Sequence, residues 1–323
     1  MLYPLKFNPI LKEIIWGGDE ICRFKNLYPQ RSGIGESWEL SHVKNNVSIV
    51  ANGALKGKSL EELIETYKGK LVGEKVLARF GTTFPLLIKF IDAHAPLSVQ
   101  VHPDDALAKK RHNSFGKTEM WYVVRATRGA YLYSGFARLT TPEEYVRSLD
   151  DDTFIDYLQR YEVKPGDVFF LPAGRVHAIG AGCFIAEIQQ TSDITYRIYD
   201  YNRKDANGNP RELHTELAKD AIDYKVYPDY KSDYIPGQQP VQTLVSCPYF
   251  TTNLIEGKKG GVIQTAHPDS FSIYIGLEGN TLLTDANGFS IELRQGETAL
   301  LPAENSLTSL TFNENGKLLE VCI

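Results

Sequence analysis

GDVFFLPAGRVH, residues 166–177, runs Gly, five residues, Pro, one residue, Gly, two residues, His. Near the end of the chain, GETALLPAENSL, residues 296–307, keeps the Gly and the Pro at the same spacing and replaces the last Gly and the His by Glu304 and Leu307. In each copy a short apolar run sits between a glycine and a proline, the punctuation of a buried strand between tight turns. A second matched pair, Trp121-YVVRATRGAYLY and Tyr274-IGLEGNTLLT, lies upstream of each copy. The duplication predicts two related β-barrels, the first keeping a metal-type histidine and the second lacking it.

Around this core the texture is mostly β. PLLIKFIDA, LSVQVHP, EMWYVVRA and AYLYSGF follow one another from Pro85, and a second strand series runs from Val168 to Tyr199. ESWELS, residues 36–41, reads as an earlier strand. Three helical insertions interrupt the pattern. Residues 59–80 open with Ser59 as N-cap and Glu62 three positions later, a capping box. Residues 141–161 open with Thr141 before Pro142, and a short helix is predicted at 212–222. Residues 226–240, rich in Pro, Tyr and Asp, mark a boundary, giving a first domain over 1–235 and a second over 241–323.

LSVQVHPDD, residues 97–105, carries the sharpest chemical signal. On a strand, Gln100 and His102 share one face while Val99 and Val101 take the other. Glu119, seventeen residues after His102, opens an aromatic strand in which a charge has no packing role. His177 closes the 166–177 turn. Two histidines, a glutamate and an amide oxygen make an N/O donor set without thiolate, suited to a zinc ion with an open position. His102 alone could equally be a hydrogen-bonding residue at a strand end; occurrence with Glu119 and His177 favours a metal. Gln100 is either a ligand or a neighbour that orients one. His42, His94, His112, His214 and His267 have no comparable partners and read as ordinary histidines.

The bulk properties narrow the function. A chain of 323 residues, 42% hydrophobic, can fill one large or two ordinary domains. With 40 acidic and 35 basic residues, a formal charge of −5 and no sustained basic run, nucleic acid and anionic membranes are poor partners. The first twenty residues carry Pro4, Pro9 and acidic side chains and lack a secretory apolar core, and no stretch approaches the roughly 20 apolar residues of a membrane span. Cys22, Cys183, Cys247 and Cys322 are dispersed, which suits reduced thiols in the cytoplasm and not a thiolate metal site.

LIKFIDAHAPLSVQVHPDD, GKTEMWYVV, PGDVFFLPAGRVHAIG and AEIQQTSDITYRIYDY, in that order, resemble type I phosphomannose isomerases of the short bacterial form. The resemblance covers most of the chain and is strongest over residues 85–203. It implies two cupin (jelly-roll) β-barrels and one zinc ion per chain, held by Gln100, His102, Glu119 and His177. It also implies aldose–ketose isomerisation of a phosphorylated hexose, mannose 6-phosphate to fructose 6-phosphate, through an enediolate. The catalytic arginine falls at Arg197, and Lys117, Glu187 and Asp193 match other active-site positions; Lys89 and Ser98 match residues associated with the sugar phosphate, so Lys89, Ser98 and Asp193 are the expected substrate contacts. Alternation along CFIAEIQQ sets Glu187 opposite Phe184, Ala186 and Ile188, facing a barrel interior, where it would act as acid or base or pair with Arg197 or Lys117. The modest 141–161 insertion and the short last barrel depart from the larger relatives and leave pocket walls undetermined. A cupin oxygenase is disfavoured because Gln100-Val-His102 stands where two close histidines are usual. A non-catalytic, metal-containing sugar-binding cupin is the remaining alternative, and the oligomer is a monomer or homodimer.

Overall fold

The computed structural model describes residues 1–204 and 208–323, and its strands form two pairs of antiparallel sheets and one two-stranded ribbon, His42–Val43 with Asn46–Val47. In the first unit a seven-stranded sheet runs, edge to edge, Lys231–Ser232, Val168–Leu171, Glu119–Ala126, Cys183–Gln190, Leu86–Ala93, Ile34–Leu40 and Ile10–Gly18. It faces a five-stranded sheet ordered Leu158–Glu162, Tyr131–Phe136, His177–Ile179, Val99–Val101 and Tyr196–Tyr199. The second unit repeats this plan. Its six-stranded sheet runs Leu5–Lys6, Thr298–Leu301, Ser272–Glu278, Gly316–Cys322, Thr251–Gly257 and Val241–Ser246, and the smaller one Val262–Ala266, Leu307–Phe312, Asn280–Asp285 and Ser290–Arg294. The strand after Gly166 and the strand after Gly296 occupy equivalent places in the two large sheets, as the repeated spacing predicts.

Burial explains why the strands of the large sheets read as continuous apolar runs. Every residue of Leu86–Ala93 and Cys183–Gln190 is buried. On one face, Ile91, Ala93 and Ile185 pack with Leu132 and Ile179 of the five-stranded sheet. On the other, Leu86, Ile88, Phe90, Phe184, Ala186 and Ile188 join Ile273, Ile275, Leu319 and Val321 of the second unit in one core. The large sheets therefore lie back to back with the small sheets outside, and each large sheet is covered on both faces.

The insertions depart from the sequence reading in identifiable ways. The Ser59–Glu62 capping box is present, with Glu62 N–H donating to Ser59 Oγ at 3.1 Å and Ser59 N–H to Glu62 at 2.8 Å. The helix over 59–80, however, is three: Leu60–Tyr67, Gly69–Val72 and Glu74–Phe80, broken at Lys68 (φ 48°) and Gly73 (φ 97°). Thr141 caps the helix Pro142–Asp150, but residues 158–162 leave helical form and pair with Tyr131–Phe136 as a strand, since that edge offered unmet backbone groups. The third insertion is the helix Thr215–Ala221. The helix Asp105–His112 was not anticipated; its weak signal is Asp104, which caps it by accepting from Leu107 N–H at 2.8 Å. Leu5–Lys6 pairs with Ala299 and Leu300, so the first strand joins the sheet of the second unit.

Candidate metal centre and adjoining pocket

Cross-strand register places the chemistry. In the five-stranded sheet Arg197, Gln100 and His177 are successive neighbours across three strands. In the seven-stranded sheet Trp121, Glu187, Lys89 and Trp38 form a second row, each opposite the next. Such rows bring side chains on one face within contact, and the two rows line the interior between the sheets.

At one end, His102, Glu119 and His177 are buried with one donor atom from each lying within 4.8 Å of the others. Among the described residues this is the one group of that kind. His177 Nε2 stands 3.2 Å from one Glu119 oxygen and His102 Nε2 3.6 Å from the other. Each imidazole is oriented from behind, His177 Nδ1 lying 2.8 Å from the Arg175 carbonyl and His102 Nδ1 2.9 Å from that of Ile194. A carbonyl accepts, so Nδ1 carries the hydrogen and the Nε2 lone pair faces the centre. Burial, joined by the Lys117 charge, lowers both imidazoles, His177 to about 4, so both are neutral at pH 7 as ligation requires. Burial and the nearby Glu187 charge push Glu119 up to about 7; no well-aligned hydrogen-bond donor serves either oxygen, and the Lys117 ammonium stands 3.2 Å from one of them. A buried carboxylate facing two imidazole lone pairs fits a divalent cation.

Gln100 and Lys117 rim the centre. The Gln100 amide nitrogen lies 3.2 Å from His177 Nε2, and a half-turn of the amide puts its oxygen at that point. Lys117 Nζ is 3.2 Å from both Glu119 and His102 Nε2. Both also line a pocket of about 390 Å³ together with Lys89, Ser98, Glu187, Asp193 and Arg197. The structure thus gathers every residue singled out from the sequence into one metal-type group and one pocket.

Inside the pocket Glu187 pairs with Lys89 at 3.2 Å and accepts from Trp121 Nε1 at 2.8 Å. The partner anticipated for it was Arg197 or Lys117; register makes it Lys89, its direct neighbour. Burial alone would raise Glu187, but Lys89, Lys117 and the Trp121 hydrogen bond outweigh it and hold the carboxyl below its ordinary range. Lys89, against its own desolvation, is held protonated by Glu36 and Glu187. Arg197 donates to the Glu212 carbonyl at 2.9 Å, while its Nε is buried without a partner.

Trp16, Trp38, Glu36, Thr195 and Arg211 also line the pocket and escaped the sequence reading. Trp38 donates to Glu36 at 2.6 Å, and Arg211 is anchored on Asp200 at 2.7 Å. His214, read as ordinary, accepts the Arg197 backbone N–H at 3.1 Å. A larger cleft of about 910 Å³, around Gly18, Asp92 and Arg125, contains none of the candidate residues. Its Arg23 and Arg125 are paired with Asp19 and Glu20; the candidate catalytic and substrate residues line the smaller pocket instead.

Comparison with known proteins agrees with this geometry. The family model described as phosphomannose isomerase type I, catalytic domain, matches residues 5–122. The mannose-6-phosphate isomerase ManA of Bacillus subtilis is 36% identical over 305 residues, 93% of each chain. A mannose-6-phosphate isomerase of Streptococcus mutans is 34% identical, covering 97% of this chain and 96% of its own. The crystal structure of a Bacillus subtilis mannose 6-phosphate isomerase superposes with a TM-score of 0.88 at 32% identity over the whole of both chains.

Proposed function

The chain belongs to the type I phosphomannose isomerase family, and from that premise we propose that it is a zinc-dependent isomerase interconverting mannose 6-phosphate and fructose 6-phosphate. The observation that supports the zinc assignment is the buried Glu119 carboxylate facing the Nε2 atoms of His102 and His177, one donor atom of each within 4.8 Å of the others. His102, Glu119 and His177 would hold the ion, with Gln100 as a fourth ligand. Zinc bound there supplies Lewis-acid stabilisation of negative charge on the sugar oxygens.

Moving a proton between C1 and C2 needs a base, a means of returning the proton, and stabilisation of the enediolate. Glu187, ionised at neutral pH under the influence of Lys89 and Lys117, is the base we assign. Lys117, between Glu119 and the pocket, moves protons at the substrate oxygens. Arg197, one strand from Gln100, sets its fixed positive charge beside the developing oxyanion. Ser98 and Asp193 hold sugar and phosphate oxygens; Lys89 shares that task and keeps Glu187 ionised. We further assign catalysis to the first unit and a supporting role to residues 241–323. The four cysteines are unpaired, which supports the cytoplasm as its compartment, and no helix among the described residues is long and apolar enough to cross a membrane.

The deciding experiment measures isomerisation of mannose 6-phosphate by the protein as purified, after chelation, and after zinc add-back. Activity lost to chelator and restored by zinc is expected. A metal-replete protein without turnover would leave the non-catalytic sugar-binding reading.

A further inference from the structure

We propose that Tyr249, in the turn between Val241–Ser246 and Thr251–Gly257 of the second unit, is a positioning residue for the loop that carries Lys117 and Glu119. This inference rests on the isomerase reading and gives the second unit a part in it.

Tyr249 donates its hydroxyl to Asp105 Oδ2 at 2.8 Å. Asp105 is the first residue of the helix Asp105–His112, three positions after His102. Its other oxygen accepts two bonds, from Gly116 N–H at 2.8 Å and from Gln190 Nε2 at 3.0 Å. Gln190 passes the connection on, its Oε1 accepting from Thr118 N–H at 2.8 Å while its own N–H donates to the Thr118 carbonyl at 3.1 Å. Thr118 Oγ1 in turn accepts from Ala173 N–H at 3.2 Å, at the start of the turn ending in His177. Lys117 thus sits between two residues whose backbone N–H groups are tied, through Asp105 and Gln190, to one tyrosine of the other unit.

The packing leaves the loop little slack. A Cβ on Gly116 would come within 2.6 Å of the Asp104 carbonyl carbon and the Asp105 nitrogen, so the loop lies directly on the start of the helix. Arg79 fixes the turn from the far side, donating to the Pro248 carbonyl at 2.6 Å with its guanidinium 5.6 Å from the Tyr249 ring centroid. With both Asp105 oxygens engaged, loss of the Tyr249 bond frees the carboxylate to rotate and loosens the Gly116 and Gln190 bonds together. A shift of a few tenths of an ångström at Lys117 then disturbs its placement against substrate.

Tyr234 provides the control. Its hydroxyl donates to the Gly166 carbonyl at 2.8 Å, a bond of the same length from the linker to the first unit, made beside Tyr122 and outside the Asp105, Gly116, Thr118 and Gln190 network. Hydrogen exchange of peptides spanning 104–119, and kcat and KM for mannose 6-phosphate, should be compared in wild type, Tyr249→Phe and Tyr234→Phe. Tyr249→Phe should speed exchange at residues 113–119 and lower kcat about three- to tenfold with KM changed less than about twofold. Tyr234→Phe should leave both readouts at wild-type values. Unchanged exchange or unchanged kcat in Tyr249→Phe, or equal losses in the two variants, would overturn the assignment. A wild-type protein inactive when loaded with zinc would instead remove the isomerase reading and with it the catalytic part of this inference, while the exchange comparison would still decide whether Tyr249 orders the loop.

Discussion

Glu119 is fully buried, with the Lys117 ammonium 3.2 Å from one of its oxygens, an expensive arrangement that a cation bound between it and the two imidazoles relieves. His177→Ala removes one of the two imidazoles facing it, so bound zinc and activity should disappear together. Stoichiometric zinc, by atomic absorption, in a folded His177→Ala protein would take His177 out of the ligand set. Glu187→Gln is the complementary case. It keeps the Trp121 hydrogen bond and the volume but loses the charge opposite Lys89, so zinc should be retained while kcat falls by about a hundredfold or more; near-normal kcat would end its assignment as base. The candidate ligands were legible in sequence because a Gln and a His spaced by two interrupt an apolar strand, and a Glu heads an aromatic one. Trp16, Glu36, Trp38 and Arg211 were not, because their purpose comes from register with strands distant in sequence. A tryptophan beside glutamates looks the same on any half-buried strand.

At the level of elements, local signals survived where the chemistry is local. The Ser59–Glu62 capping box is formed, and Thr141, read as a cap, forms a second box with Glu144. The breaks within 59–80 depend on longer contacts. At Gly73, with φ 97°, a Cβ would lie 2.2 Å from the Asp269 carbonyl oxygen, and the helix Glu74–Phe80 begins there with Glu74 N–H donating to Asp269 Oδ1 at 2.6 Å. The helical insertion is therefore seated on a loop of the second unit, which no periodicity within 59–80 could reveal. Gly73→Ala meets both the left-handed backbone and the Asp269 backbone. It should destabilise the protein by about 2–4 kcal/mol, read as a lowered denaturant midpoint at unchanged m-value. A loss below about 0.5 kcal/mol would show that the loop yields freely. The strand at 158–162 was misread as helix for a related reason: an open edge at Tyr131–Phe136 outweighs a weak local preference.

Across the whole molecule the duplication extends to the buried acid row. The second unit's large sheet sets Tyr274 opposite Glu320 and Glu320 opposite Asn253, matching Trp121, Glu187 and Lys89 in the first. Tyr274 and Asn253 each donate to Glu320 at 2.9 Å, and His267 Nε2 lies 2.9 Å from it, so the second unit answers its acid with its own side chains. The Gly and Pro spacing revealed the repeat; the role of His267, read as ordinary, depended on the partner supplied by the last strand. Hydrogen bonds with Cys322 and Glu320 raise His267 from the ordinary 6.5 to about 10. Burial would raise Glu320, but His267 and Asn253 hold it below its ordinary 4.5. A group whose pKa rises on folding stabilises fully below its unfolded value and loses that contribution as pH climbs through the folded one; a group whose pKa falls loses its contribution as pH drops. The pair should therefore contribute most between about pH 4.5 and 6.5 and fade from 6.5 toward 10. Denaturant midpoints of wild type and His267→Gln across pH 5 to 10 isolate this term, because other titrations cancel in the difference. The difference should be largest near pH 6 and shrink toward pH 10. A difference flat with pH would mean that His267 contributes by packing and that the Glu320 charge is met by Tyr274 and Asn253 alone.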